Sequence, residues 1–175
     1  MNKHLRLAAG AGVLAMLAGC QSSPPMSTVS KVELDRFMGD WYVIANIPTW
    51  PEKGAHNAIE SYRLDSDGSI ATTFTFNEDS FDGPRKKMTP RGFVVDRETN
   101  ATWGMQFVWP IKAEYLIVYV DPGYTLTMVG RSKRDYLWIM ARTPAIADAD
   151  YQKLVRLAAD LGYDTTKIEK VPQKW

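Results

Sequence analysis

The side chains best suited to covalent or metal chemistry are scarce in this chain of 175 residues, which contains one Cys and two His. A single thiol, Cys20, cannot form an internal disulfide, a Cys-based structural zinc site or an iron–sulfur centre. His4 and His56 are too few for a multi-His metal site and leave almost nothing from which to build a Ser-His-Asp triad. We therefore expect no catalytic residue, no metal and no cofactor, and Cys20 needs an explanation of its own.

The charge and composition exclude two further classes of protein. The formal net charge of +1 provides no basic surface for nucleic acid, so we expect no nucleic-acid partner. A hydrophobic content of 45% with 23% charged residues is typical of a folded chain and excludes a disordered one. At this length one domain with its own core is the natural expectation.

Cys20 ends a segment that has the pattern of a secretory signal. Residues 1–6 carry two bases and no acid, and residues 7–18 form an apolar run that is too short for the roughly 20 residues of a membrane-spanning helix. Leu-Ala-Gly at 17–19 followed by Cys20 resembles the lipobox of bacterial lipoproteins. The resemblance implies cleavage before Cys20 and acylation of that residue. An ordinary signal peptide with an incidental Cys is the alternative.

Acylation of Cys20 would hold the protein on a membrane, because two acyl chains already give stable anchoring. Gln21 resembles the residue that follows the Cys in lipoproteins of the outer membrane, so we expect a lipid-anchored protein there. Residues 22–30 are polar and contain Pro, as in a tether. The predicted organisation is a signal peptide at 1–19, the lipidated Cys and a flexible tether at 20–31, and one folded domain at 32–175.

The pattern of the folded domain is that of short strands separated by turn signals such as Asp-Gly and Pro-Gly. Eight consecutive strands with short connections favour an antiparallel up-and-down β-barrel, since closure removes exposed sheet edges. The predicted strands are 41–47, 58–64, 70–77, 90–95, 102–108, 115–120, 125–130 and 136–142.

Two helices flank these strands in the prediction. Residues 32–38 have helical spacing and end at Gly39, which predicts one short turn. Residues 148–161 have an apolar face at helical spacing, with Asp148 or Asp150 as the N-terminal cap and Gly162 as the stop. Residues 166–171 are a candidate ninth strand.

Three short motifs resemble those of the lipocalins, and especially of bacterial outer-membrane lipocalins and apolipoprotein D. The first is Gly39-Asp-Trp41, the second runs from Asp121 to Tyr124 in the turn after the sixth strand, and the third is Arg142 at the end of the eighth. The resemblance implies an all-β calyx in which Trp41 plugs one end and Arg142 lies across its ring. In this interpretation the motif residues have structural roles.

An eight-stranded barrel is either filled by its own side chains or wide enough for one small ligand. Strand alternation assigns side chains of one parity to the interior. For the second, sixth and eighth strands the parity is taken from the resemblance, because the pattern alone does not determine it. The predicted calyx lining is Tyr62, Phe74, Phe76, Trp103, Met105, Phe107, Tyr115, Ile117, Tyr119, Trp138 and Met140.

An aromatic lining with a few phenol hydroxyls suits an apolar ligand that has one polar end. The resemblance narrows this to a fatty acid or lysophospholipid, which the calyx would bind, store or transport in the cell envelope. One alternative is a lipocalin-fold enzyme, with Glu60 and Tyr hydroxyls as acid–base candidates. Another is a structural envelope protein with a filled barrel. The sequence does not decide whether the chain forms a homodimer. Trp50 and Trp109 are candidate aromatic residues around the barrel mouth.

Overall fold

The computed structural model describes residues 25–175, so Cys20 and the predicted signal peptide lie outside the described residues. Within the described range the chain forms ten β segments, all paired antiparallel. They are β1 (Gly39–Ile47), β2 (Ala55–Leu64), β3 (Ser69–Glu78), β4 (Arg85–Met88), β5 (Arg91–Val94), β6 (Thr102–Val108), β7 (Ile111–Val120), β8 (Leu126–Gly130), β9 (Leu137–Ala141) and β10 (Glu169–Lys170).

The sheet closes into the predicted eight-stranded barrel through the pairing of β1 with β9. β4 and β5 both pair with β3 and form two pieces of one barrel strand, interrupted at Thr89 and Pro90. The basic run at 85–87 lies in the β4 piece. β10 is shorter than the predicted ninth strand. It pairs with β1 at Ala45 and Asn46, beyond the part of β1 that pairs with β2.

Period-two alternation separates an inner core from an outer one. On β3, Thr72, Phe74 and Phe76 are buried inside the barrel, whereas the side chains between them are half-exposed. On β9 the outward residues are apolar as well, because a helix covers them. The barrel therefore has one apolar cluster within it and a second on part of its outer wall.

The covering helix is α2 (Asp148–Asp160), which buries Leu154 and Ala158 against the outer wall. Its N-terminal cap is Ala147 with no side-chain hydrogen bond, so the expectation of an Asp cap was wrong. Gly162 ends it at φ +87°, a backbone conformation that favours glycine. Neither helix of the described range is both long and apolar enough to cross a bilayer.

The two ends of the barrel differ. At one end, α1 (Leu34–Phe37) and the turns β2–β3, β5–β6 and β7–β8 close the interior. At the other end, which we call the mouth, lie the connections β1–β2, β3–β4, β6–β7 and β8–β9.

The chain before α1 runs along the outer wall of the barrel. The Val32 amide donates to the Thr99 carbonyl near the closed end, and the Val29 amide donates to the Ile117 carbonyl further up. Met26 is buried beside Gly130 and Tyr163, at the mouth end of β8. Within residues 25–31, predicted as part of a flexible tether, Met26 and the main chain of Val29 contact the domain, whereas Pro25, Ser27, Ser30 and Lys31 are exposed.

Candidate ligand-binding cavity

Trp41 and Arg142 close the end of the barrel opposite the mouth. Trp41 is fully buried, and its indole N–H donates to the Phe37 carbonyl at 2.8 Å. The guanidinium carbon of Arg142 lies 3.7 Å from the centre of the Trp41 ring, a cation–π contact. The same guanidinium donates to the main-chain carbonyls of Arg36, Phe37, Met38, Asp40 and Tyr124.

The remaining motif residues hold the turns around this plug. Gly39 has φ +91° and lies against Arg142, so the backbone there requires glycine. The Asp121 carboxylate accepts hydrogen bonds from the amides of Gly123, Thr125 and Leu126. Burial raises the pKa of Asp121, but these hydrogen bonds outweigh it and lower the pKa below the ordinary value. The Tyr124 hydroxyl accepts from the amide of Glu33 at 2.8 Å.

Above the plug the barrel holds a cavity of about 260 Å³ that reaches the mouth. That volume equals about nine liquid-water volumes and lies just below the range of typical small-molecule pockets. The barrel is thus filled in its closed half and open in its upper half. The cavity is bordered by Thr49, Pro51, Glu52, Glu60, Phe74, Met88, Pro90, Met105, Phe107, Ala113, Glu114, Tyr115, Arg131, Tyr136 and Trp138.

The predicted lining residues divide into three groups. Five border the cavity: Phe74, Met105, Phe107, Tyr115 and Trp138. Of these, Phe107 stands at the mouth with 57% of its surface exposed. Five are buried inside the barrel but do not border the cavity: Tyr62, Phe76, Trp103, Ile117 and Met140. The third group is Tyr119 alone.

Tyr119 lies outside the barrel, so its assignment to the calyx was wrong. The pairing of β7 with β8 shifts register between Ile117 and Tyr119, as expected of a β-bulge. The extra residue leaves Ile117 and Val120 on the inner side and turns Tyr119 outward, where its hydroxyl accepts from Lys153 of α2.

Two buried carboxyl groups face the cavity. Glu60 follows the inward parity of β2, and burial, partly offset by a hydrogen bond with Tyr62, raises its pKa to about 8. Glu52 lies in the β1–β2 connection, and burial raises its pKa as well. Its carboxylate accepts from the Trp138 indole at 3.0 Å and from Asn46 at 3.4 Å. At neutral pH the cavity therefore presents Glu60 mainly as a neutral acid.

A ladder of aromatic rings connects the cavity wall with the filled half. Trp103 stacks on Tyr115 with ring centres 5.4 Å apart, and Tyr115 stacks on Trp138 at 6.2 Å. The Tyr62 and Tyr115 hydroxyls share a hydrogen bond beside Glu60. The wall is therefore largely apolar, with the buried carboxyls of Glu52 and Glu60 beside Tyr115, while Glu114 and Arg131 add charged groups to the border of the cavity.

Sequence reasoning missed several residues that border the cavity. Glu60 has the same strand parity as Tyr62, and this parity indicates the inner face of β2. The predicted lining nevertheless did not include Glu60. Glu52, Arg131 and Tyr136 belong to connections at the mouth, where strand alternation gives no direction. His56 lies in β2 and does not border the cavity.

The sequence is similar to proteins from plants and bacteria. It is 31% identical over 157 residues to temperature-induced lipocalin-1 of Arabidopsis thaliana, covering 85% of this chain and 83% of the plant protein. It is 28% identical over 173 residues to the outer membrane lipoprotein Blc of Escherichia coli strain K12, covering 97% of each chain.

Solved structures share the fold at low sequence identity. Insecticyanin from Manduca sexta superposes with a TM-score of 0.67 at 15% identity, covering 85% of this chain and 84% of its own. The cockroach allergen Per a 4 gives 0.63 at 22% identity, covering 87% and 96%. The model of the lipocalin-like domain family matches residues 32–173, which include the plug and every residue that borders the cavity. The chain belongs to the lipocalin-like domain family.

Proposed function

We propose that this protein is a membrane-anchored lipocalin of the bacterial outer membrane that binds, stores or transports a single-chain lipid of the fatty acid or lysophospholipid class. The observation that carries the proposal is the open upper half of the barrel, with aromatic walls and a buried carboxyl, Glu60, that is neutral below about pH 8. A bound acyl chain would gain about 0.8 kcal/mol for each methylene that leaves water.

The size of the cavity favours one acyl chain over two. A volume of about 260 Å³ accommodates part of a single chain, and Phe107 at the mouth provides an apolar surface for the part that emerges. Glu60, neutral below about pH 8, donates a hydrogen bond to a polar end without repelling an anionic one. Such a cavity suits an elongated ligand better than a compact one.

The location rests on the N-terminal segment and on the named relatives. Cys20 follows a signal-like segment in a lipobox pattern, and the Blc proteins of Escherichia coli and Vibrio cholerae are named outer membrane lipoproteins. Acylated Cys20 would keep the calyx beside the bilayer in which its ligands reside. Binding is favoured over catalysis because the described cavity brings together carboxyl and phenol groups without a neighbouring His or thiol.

A titration with a fluorescent fatty acid or a fluorescent lysophospholipid tests the proposal. Tyr115 and Trp138 border the cavity, so we expect saturable quenching of tryptophan emission by energy transfer. Ala113→Phe places a ring in the cavity and should weaken binding at least tenfold. Ala149→Phe, on the exposed face of α2, should bind as the unmodified protein does. Equal binding by both variants, or no saturable signal with either lipid, would count against a ligand in this cavity.

A further inference from the structure

Exposed apolar side chains cluster at the mouth of the barrel. We call them the apolar rim: Trp50, Phe107, Val108, Trp109 and Ile111. Trp50 and Trp109 are 83% and 82% exposed, so neither ring packs beneath its loop. Phe107, Val108, Trp109 and Ile111 form one apolar hairpin tip, and Trp50 lies on the separate β1–β2 connection. Exposed apolar surface of this kind on a folded chain marks an interaction site. None of it is needed to fill the barrel.

The apolar rim projects beyond the neighbouring part of the wall. β8 stops at Gly130, which pairs with Leu116, whereas β7 continues to Ile111 beside the tip of the β6–β7 hairpin. Five residues of strand extend about 16 Å. The hairpin tip therefore stands above the β8–β9 side of the mouth.

The chain that leads to the proposed anchor leaves the domain at the same end. It runs from Val32 near the closed end to Met26 beside Gly130, so its direction is towards the mouth. Cys20 precedes Pro25 by five residues, a maximum reach of about 17 Å. That reach is at least as long as the stretch of β7 between Leu116 and the hairpin tip. An anchor at Cys20 can therefore lie in the same plane as the apolar rim.

The charge around the mouth favours an anionic surface. Exposed basic side chains at this end outnumber exposed acids that have no basic partner, and juxtamembrane bases are attracted to anionic headgroups. The bases without an acidic partner are Lys53, Arg85, Lys87 and Lys133, and the acids are Asp79 and Asp82. Trp side chains in turn favour the boundary between headgroups and acyl chains.

The geometry points to a docking mode in which the apolar rim inserts into the surface of a phospholipid bilayer with anionic headgroups. The mouth then faces the membrane that holds the anchor, and a lipid passes between bilayer and cavity without crossing bulk water. This inference rests on the proposed anchoring at Cys20, but it concerns the orientation of the domain on the membrane. It assigns the apolar rim to lipid rather than to a second copy of the chain.

Fluorescence quenching by lipid bromine tests this orientation. The acylated full-length protein is reconstituted into vesicles of phosphatidylcholine and phosphatidylglycerol that carry bromine on the acyl chains near the headgroups. We expect strong quenching, and we expect Trp50→Phe and Trp109→Phe to lose most of the quenchable emission. Trp175→Phe is the matched control, because Trp175 is 61% exposed but packs on Tyr42 away from the mouth. Its replacement should leave the quenchable emission unchanged.

A second set of variants changes the apolar rim but keeps Trp50 and Trp109, whose fluorescence reports on the contact with lipid. Val108→Asp with Ile111→Asp should strongly reduce the quenching of Trp109 while the affinity for a soluble fluorescent fatty acid stays within twofold. Replacement of phosphatidylglycerol by phosphatidylcholine should weaken the quenching, and equal quenching would contradict the preference for anionic headgroups.

The failures of the two proposals are distinguishable. Protein that does not stay with the vesicles contradicts the anchor at Cys20. Protein that stays with the vesicles while Trp109 is unquenched, or while Trp175 is quenched instead, contradicts the orientation alone. Blue-shifted Trp109 emission without bromine quenching, together with a cross-linked dimer, would assign the apolar rim to a second copy and overturn the docking mode.

Discussion

At the scale of single residues, the carboxyl of Glu60 departs far from its behaviour in water, because burial raises its pKa to about 8. It is buried among aromatic rings and has no basic partner among its hydrogen bonds in the described structure, so its neutral form is favoured. A core designed only for packing would have an apolar side chain at this position. The polar group is consistent with a cavity that receives a ligand with a polar end.

The raised pKa of Glu60 predicts how stability depends on pH. The folded state holds a proton to about pH 8, whereas the unfolded chain loses it near 4.5. The folded state therefore binds more protons between these values, and the free energy of unfolding falls as pH rises, by up to about 1.4 kcal/mol per pH unit. Glu60→Gln should make this slope shallower in urea denaturation, and the share due to the raised pKa of Glu52 should remain. The exposed Glu98→Gln is the control and should keep the whole slope, and parallel curves for all three proteins would contradict the assignment.

Trp41 carries the second prediction at this scale. Its ring is enclosed by Phe37 and Arg142, and truncation leaves a large void in the closed half. Trp41→Ala should lower the free energy of unfolding by about 3–5 kcal/mol. Trp175→Ala, which removes an exposed ring, should change it by less than about 0.5 kcal/mol. A denaturation midpoint that Trp41→Ala does not move would refute the role of Trp41 as a plug.

At the scale of elements, the structure separates the parts that form the cavity from those that support the barrel. α2 covers the outer wall and contributes no residue to the cavity border. The β6–β7 hairpin and the β1–β2 connection, in contrast, supply the mouth. Changes in these two groups of elements should therefore have different consequences.

Leu154→Ala in α2 should reduce stability without changing the cavity. Leu154 is fully buried between the helix and the barrel, so its truncation should cost about 2–5 kcal/mol in the free energy of unfolding. The affinity for a fluorescent fatty acid, measured well below the denaturation midpoint, should stay unchanged. The exposed Gln152→Ala is the matched control for the helix. A loss of affinity with Leu154→Ala at full folding would show that α2 also shapes the binding site.

At the scale of the whole molecule, the fold was predictable to the extent that local patterns determine it. Alternation placed Trp103 and Met105 inside on β6, and the three motifs placed Trp41 and Arg142 together across the whole length of the domain. The placement of Trp103 and Met105 depends on a period of two that is visible in the sequence, whereas the contact of Trp41 with Arg142 was implied by the resemblance to lipocalins. The closed barrel follows from these two features.

The site was less predictable, because its geometry depends on irregular backbone. A bulge on β7 turns Tyr119 outward, and no residue type in this strand predicts that bulge. Glu52 enters the cavity from a connection whose path is set by distant contacts with Trp138 and Asn46. How far the barrel is filled depends on side-chain packing between strands remote in sequence, as in the stack of Trp103, Tyr115 and Trp138.

The open cavity, on which the proposed function rests, can be tested by mass spectrometry of lipids extracted from the protein purified from its own membrane. The full-length protein should carry a single-chain lipid, a fatty acid or a lysophospholipid, in near-stoichiometric amount. The Ala113→Phe variant, purified in the same way, should carry much less. Protein that is free of lipid, or that carries equal lipid in both forms, would contradict the account of an open ligand-binding calyx.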